Sequence, residues 1–406
     1  MPHPPIFTLT SPSHLANPLR NRWKFPVAAL LLAALCPFQL CPFQLCPFQL
    51  GPSQAFSQDP WSLRQTPSVS SLRGLSPVDS NTAWVCGSQT ALFRTVDRGR
   101  TWTSHPIPEL QPQENESQSI ELRSLHAFSS STLLVATAGT PCRIYRTQDA
   151  GVSWTRVFEH PSSAAFIDGL RFWNETDGIA FGDPVDNQLM VLRTIDQGCT
   201  WQSSGSPSLH IEPGIAGFAA SNSSLLVDSS ASQLQAWIGL GGREGLATIL
   251  HSKDSGTSFS RSVVDPIPSH SSAGIFSLAI SPDGTLIAVG GDYQKPDSIN
   301  GNVAILDPKT QRWRSPRQAS PRGFRSCITY LMHPIAPDST NPSTAQAHWI
   351  TVGPTGGEWS SDGEHWNPLS DLPLHSVQTA PDGSLWACGP SGLVAVLKSQ
   401  DAAPTP

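Results

Sequence analysis

Short apolar runs separated by clusters of Gly, Pro, Ser and Asp recur from about residue 60 onward, at a spacing near fifty residues. Runs such as WSLRQT (61–66), LRGLS (72–76), GSLWA (383–387) and GLVAVL (392–397) are five or six residues long and bounded by turn formers. They read as strands rather than helices. A box of the form Ser/Thr-x-Asp-x-Gly-x-Ser/Thr-aromatic sets the phase of the repeat. Full copies hold Asp97 and Trp102, Asp149 and Trp154, Asp196 and Trp201, and Asp254 and Phe259; a copy one residue shorter holds Asp362 and Trp366, and a degenerate one runs from Asp307 to Trp313. Successive aspartates lie 52, 47, 58, 53 and 55 residues apart. A hairpin turn accounts for the box: the carboxylate accepts backbone N–H bonds, the glycine takes a positive φ and the aromatic packs between sheets. These residues are therefore expected to be structural, not catalytic or metal-binding.

A period near fifty with alternating apolar runs predicts an all-β fold, a β-propeller whose four-stranded blades cannot bury their faces alone. Six boxes give six blades. The C-terminal strand pair and the Trp61–Thr66 run would complete a seventh, so pairing of the N- and C-terminal strands closes the ring and removes open sheet edges. One propeller over residues 56–398, with 399–406 as an unstructured tail, is the expected organisation. The 13 Trp, 31 Gly and 38 Pro alongside only 14% charged residues agree with many short strands and few helices.

The strand that opens each repeat carries the candidate chemistry. Leu72-Arg73, Leu122-Arg123, Leu170-Arg171 and Phe324-Arg325 align there, with Gly217-Phe218 and Phe276-Ser277 in the two remaining repeats. The first strand of a propeller blade lines the central channel, so Arg73, Arg123, Arg171 and Arg325 are expected to face one space. Guanidinium groups crowd unfavourably unless an anion or carboxylates neutralise them, and they grip carboxylates in a bidentate fork. Either a bound acidic partner or acids of the same or the next blade, with Asp168, Asp177, Asp183 and Asp292 available, would serve. The glycine and acid stretches 182–186 and 290–293 match no regular calcium loop and read as turns; Gly241 to Gly245 lacks a nucleotide-binding pattern.

Residues 1–55 read as an address. Arg20, Arg22 and Lys24 precede the nine apolar residues Val27 to Leu35, too few to span a membrane. Three copies of CPFQL follow, and Ser53-Gln54-Ala55 resembles a cleavage site, so export to a periplasmic or other extracytoplasmic space is expected. A lipoprotein acylated at Cys36 is the alternative, disfavoured by Leu35 where a small residue is usual. Loss of the leader would take the formal charge from −6 to about −9, which argues against nucleic acid as a partner. Five cysteines would remain, Cys86, Cys142, Cys199, Cys327 and Cys388; with no C-x-x-C or Cys/His spacing they suggest buried strand thiols and no metal or cofactor site.

The segments LRGLS (72–76), AWVCGSQTALFRTVDRGRTW (83–102), GIAFGDPVDNQLMVLRTIDQGCTW (178–201), FSLAISPDGTLIAVGGDY (276–293) and GFRS (323–326) resemble the photosystem II stability/assembly factor-like proteins of the BNR or Asp-box class, in particular a non-photosynthetic bacterial branch sometimes named oxidoreductases. The resemblance covers about residues 60–398. It implies a seven-bladed propeller and a scaffold that binds a protein through an arginine-rich surface, for which Arg73, Arg123, Arg171 and Arg325 are the candidates. The expected function is thus a monomeric, exported, non-catalytic scaffold for an exported or membrane-associated protein, with no transmembrane segment in the mature chain. Two alternatives belong to other classes. A sialidase-type glycosidase would work through Tyr293 and Tyr330 with Asp183 or Asp292. An oxidoreductase would need a dinucleotide fingerprint, haem motif or redox cysteine pair, none of which the sequence contains.

Overall fold

A computed structural model describes residues 59–111, 120–230, 233–317, 321–331 and 349–398; the expected leader and the expected tail lie outside these residues. Within them, 28 strands form seven four-stranded antiparallel sheets, the blades of a seven-bladed β-propeller. The innermost strands of blades 1 to 7 are Leu72–Pro77, Glu121–Ala127, Gly169–Phe172, Leu225–Asp228, Ala273–Ile280, Cys327–Tyr330 and Ser376–Thr379. Each packs on the next, and the last on the first, so the strands ring a central channel.

The seventh blade closes the ring. Trp61–Gln65 is its outermost strand and pairs antiparallel with Leu393–Leu397, from Trp61 opposite Leu397 to Gln65 opposite Leu393. The two ends of the domain thereby share one sheet and leave no unpaired blade. The core is the set of interfaces between blades. Trp84, Cys86 and Leu92 of blade 1 pack on Leu122, Leu125, Leu133 and Tyr145 of blade 2, and Trp386, Cys388 and Val394 of blade 7 pack on Leu72, Leu75 and Val85 of blade 1. Each fully buried Leu or Val contributes roughly 1.5–3 kcal/mol, so no blade is stable without its neighbours.

In the turn between the third and fourth strands, the hydrogen bonds between Asp and Ser or Thr recur in blades 1 to 4. In blade 1, Thr101 N and Oγ1 donate to the two Asp97 oxygens at 2.9 and 2.7 Å, Thr95 Oγ1 donates to Asp97 at 2.8 Å, and Trp102 Nε1 donates to Gly99 O at 3.1 Å. These bonds hold the Asp97 carboxyl down at about 2, as the equivalent bonds do for Asp149. Gly99 and Gly151 sit at φ +76° and +80°, where a side chain would be strained. All five described cysteines are free thiols; Cys86, Cys142, Cys327 and Cys388 are buried, but Cys199 lies in the blade 3 turn and is exposed.

Candidate functional site

Six of the seven innermost strands begin with an irregularity that aims one side chain at the channel mouth. In blades 1, 2 and 5 the register skips a residue between Leu72 and Gly74, Leu122 and Ser124, and Ile275 and Ser277. The skipped residues are Arg73, Arg123 and Phe276. In blades 3, 6 and 7 the N–H groups of Asp168, Ser326 and His375 reach the carbonyls of Phe181, Val352 and Cys388, residues already paired with the next position along. Two residues opposite one is a β-bulge, a device that re-aims a side chain. All six bulge residues line one cavity of about 510 Å³ at the mouth where the innermost strands begin.

This mouth has three chemical sectors. Blades 1 and 2 supply Arg73 and Arg123. Glu121 accepts from Arg123 Nε and Nη2 at 2.6 and 2.5 Å, whereas Arg73 has no hydrogen bond or ion pair among the described residues. Burial, and then the Arg123 charge, pull the Arg73 guanidinium below its ordinary value. Blade 3 supplies Asp168 and Asp183, which share a hydrogen bond; burial, and then Asp183, push the Asp168 carboxyl well up. The Asp168 carboxyl is thus pushed towards its neutral form, and its buried Oδ2 has no hydrogen-bond partner among the described residues. Blades 4 to 6 supply aromatics: Phe276 stacks on Phe218 at 4.1 Å between ring centres and meets Phe324 edge-on at 4.6 Å, with half-exposed Tyr293 beside them. His375 of blade 7 donates from Nδ1 to Leu72 O at 3.0 Å, and burial, then Arg73, bring it down to about 4. A carbonyl only accepts, so Nδ1 carries the proton.

The expectation of four arginines facing one space is corrected. Arg171 lies three residues past the bulge position of its strand and lines a different cavity, at the opposite mouth. Arg325 lies one residue before the blade 6 bulge, is fully buried, and forks onto Glu358, Nε to Oε2 and Nη2 to Oε1, both at 2.6 Å. The acids that pair with arginines here are Glu121 and Glu358, not the four aspartates available in the sequence. Asp292 instead accepts from Ser272 Oγ, and Asp177 from Thr176 Oγ1. Aligning Leu-Arg pairs missed this because a bulge shifts the phase of side chains without changing the residue pattern.

A second feature escaped the sequence reading. Gly217 and Phe218 do not belong to an innermost strand. They open a segment, Gly217 to Ser224, that crosses the channel before blade 4 begins at Leu225. Asn222, fully buried at φ +62°, donates to Leu125 O at 2.9 Å and accepts from Leu170 N at 2.8 Å; Ser221 Oγ donates to Ser326 O at 2.8 Å. Blades 2, 3 and 6 are thus bridged by one loop, which separates the two cavities. The signal was the spacing of 58 residues between Asp196 and Asp254, the longest of the five. Tyr293 and Tyr330 line different cavities, one on each side of the segment.

No protein-family model matches the chain, and no curated protein sequence matches it. Among solved structures it is similar to YCF48 bound to a D1 peptide, with a TM-score of 0.58 and 16% identity over 86% of this chain and 99% of that one. YCF48 from Cyanidioschyzon merolae gives 0.51 and 15%, over 83% and 98%. A streptogramin B lyase gives 0.53 and 12%, over 83% and 97%. At these identities the likeness is one of fold. No helix among the described residues is long and apolar enough to cross a membrane.

Proposed function

We propose that this chain is an exported, non-catalytic propeller scaffold, assembly-factor-like, which binds an acidic segment of a protein partner at the mouth where the innermost strands begin. The observation that carries the reading is the pairing of Arg73 and Arg123 on adjacent bulges, beside the Asp168 carboxyl, which burial pushes well up, and an aromatic wall. Two adjacent guanidiniums with one carboxylate between them leave a positive charge that a partner's carboxylate would neutralise, in the bidentate geometry arginine favours. Phe218, Phe276 and Tyr293 would seat an apolar side chain next to that acid. A propeller of the same fold, YCF48, has been solved with a D1 peptide bound, which supports a peptide as the class of ligand. Export rests on the basic stretch and the Val27–Leu35 run. A glycosidase has less support, since its two candidate tyrosines do not share a cavity.

The test is fluorescence anisotropy with a library of labelled peptides that end in, or contain, Asp and Glu, against matched amide versions. Binding to the acidic set should weaken by about tenfold or more in Arg73→Ala/Arg123→Ala, and should fall as salt rises. Equal binding by the correctly folded double variant would sink the proposal.

A further inference from the structure

The second cavity, of about 360 Å³, lies beyond the crossing segment at the mouth where the innermost strands end. Its wall repeats one position of those strands, three residues past the bulge, in His126 of blade 2, Arg171 of blade 3, Ala279 of blade 5, Thr329 of blade 6 and Gln378 of blade 7, and Leu226 of blade 4 joins them. Only Arg171 among the lining residues carries a charge at neutral pH, and none is acidic. Its guanidinium donates from Nε to Asn222 O and from Nη1 to Gln378 Oε1, both at 3.2 Å, and both acceptors are neutral. It forms no ion pair among the described residues. Burial brings it down to about 10, a cost with no carboxylate to offset it. The same cause, followed by the Arg171 charge, takes His126 down to about 3, so that ring is neutral. Asp283, felt by Tyr330 at the rim, is held by Ser281 Oγ and Thr285 N.

Gln378 supplies the second observation. Its Oε1 is committed to Arg171, which turns Nε2 the other way, and Nε2 is buried with no hydrogen-bond partner. A buried donor left without an acceptor is destabilising unless something accepts from it. An uncompensated guanidinium and an orphan amide on neighbouring positions of one wall ask for the same thing, an anionic acceptor. Much of the remaining wall is aliphatic, with Leu226, Val227, Ile280, Ile328 and Val377 among its residues. One cation suits one negative charge, and aliphatic walls suit a hydrocarbon tail.

We propose that this cavity is a binding site for an aliphatic monocarboxylate, its head on Arg171 and Gln378 Nε2 and its tail on Leu226, Ile280 and Ile328. The site is independent of the partner-binding mouth. The carboxylate belongs either to a free acid or to a chain terminus that ends in an apolar residue.

Thermal unfolding of the full chain with added sodium hexanoate tests it, with sodium chloride and hexanamide as controls. At a hundredfold excess over Kd the midpoint should rise by about 4 °C, and neither control should match it. Arg171→Gln and Gln378→Leu should each abolish the shift, whereas Arg73→Ala/Arg123→Ala should retain it. If Arg171→Gln does not fold, Gln378→Leu carries the comparison. An Arg171-dependent shift with a pentapeptide ending in leucine, stronger than with hexanoate, would assign the site to a chain terminus; a stronger shift with hexanoate would assign it to a free acid. No shift with hexanoate, an equal shift with hexanamide, a shift that survives both Arg171→Gln and Gln378→Leu, or one lost in Arg73→Ala/Arg123→Ala would overturn the proposal.

Discussion

The two mouths of the channel lie at opposite ends of one ring of innermost strands, yet their electrostatics differ. At the bulge end, charges come in groups: Arg123 holds Glu121, Asp168 shares a hydrogen bond with Asp183, and Arg73 is the unpaired member. Past the crossing segment, Arg171 stands alone among neutral and aliphatic side chains. Arg325, one residue before the bulge position, reaches neither mouth and is sealed against Glu358. An arginine following an apolar residue on an innermost strand can therefore be a surface for a partner, a lone buried cation or half of an internal ion pair. What separates these fates is its phase relative to the bulge.

The sharpest way to break this comparison is to open the sealed pair. Arg325→Met leaves Glu358 buried with only partly exposed Arg322 beside it, and should cost about 3–5 kcal/mol in urea-induced unfolding. Arg325→Met/Glu358→Leu should recover much of that. A small loss in the single variant would mean that Arg325 is not bound as described. Burial raises the Glu358 carboxyl, but the hydrogen bonds and charges of Arg325 and Arg322 together hold it below its ordinary value. Its contribution is therefore present above the usual carboxylate range and lost as pH falls through the lowered value, and the double variant should lose stability less steeply in acid.

The division between the mouths is tested next. Asn222→Ala removes a side chain that bonds Leu125 O, Leu170 O and Leu170 N, and should cost about 2–4 kcal/mol. Hydrogen exchange should rise at the Leu170 amide, which donates to it. Unchanged protection there would show that the segment does not tie blades 2 and 3.

The smallest effect concerns Asp168. Its folded-state value is raised, so the folded chain holds a proton that the unfolded chain releases; stability from this group is full below the ordinary carboxylate range and declines as pH rises towards the raised value. Asp168→Asn should flatten the decline in the unfolding midpoint above the ordinary carboxylate range. The same slope in both proteins would show that Asp168 is ionised, and would turn the bulge-end mouth from net positive towards neutral.

The propeller was legible because its signals are local and repeated. Asp97 and its counterparts make the same turn five times with residues no more than seven apart, and hydrogen bonds of that kind form wherever the motif occurs. Closure by Trp61–Gln65 was readable for a related reason: one strand candidate was left over at one end and a strand pair at the other. The site was not legible to the same degree. Whether Arg73, Arg171 or Arg325 meets another charge depends on backbone phase and on a loop from a distant repeat, Gly217 to Ser224. A strand pattern of period two records which side chains share a face but not where a bulge exchanges the faces. The chain alone determined that arginines would recur on the innermost strands; only the packing of seven blades around one segment decided which of them stand together, which stands alone and which is sealed, because charge interactions depend on distance in space.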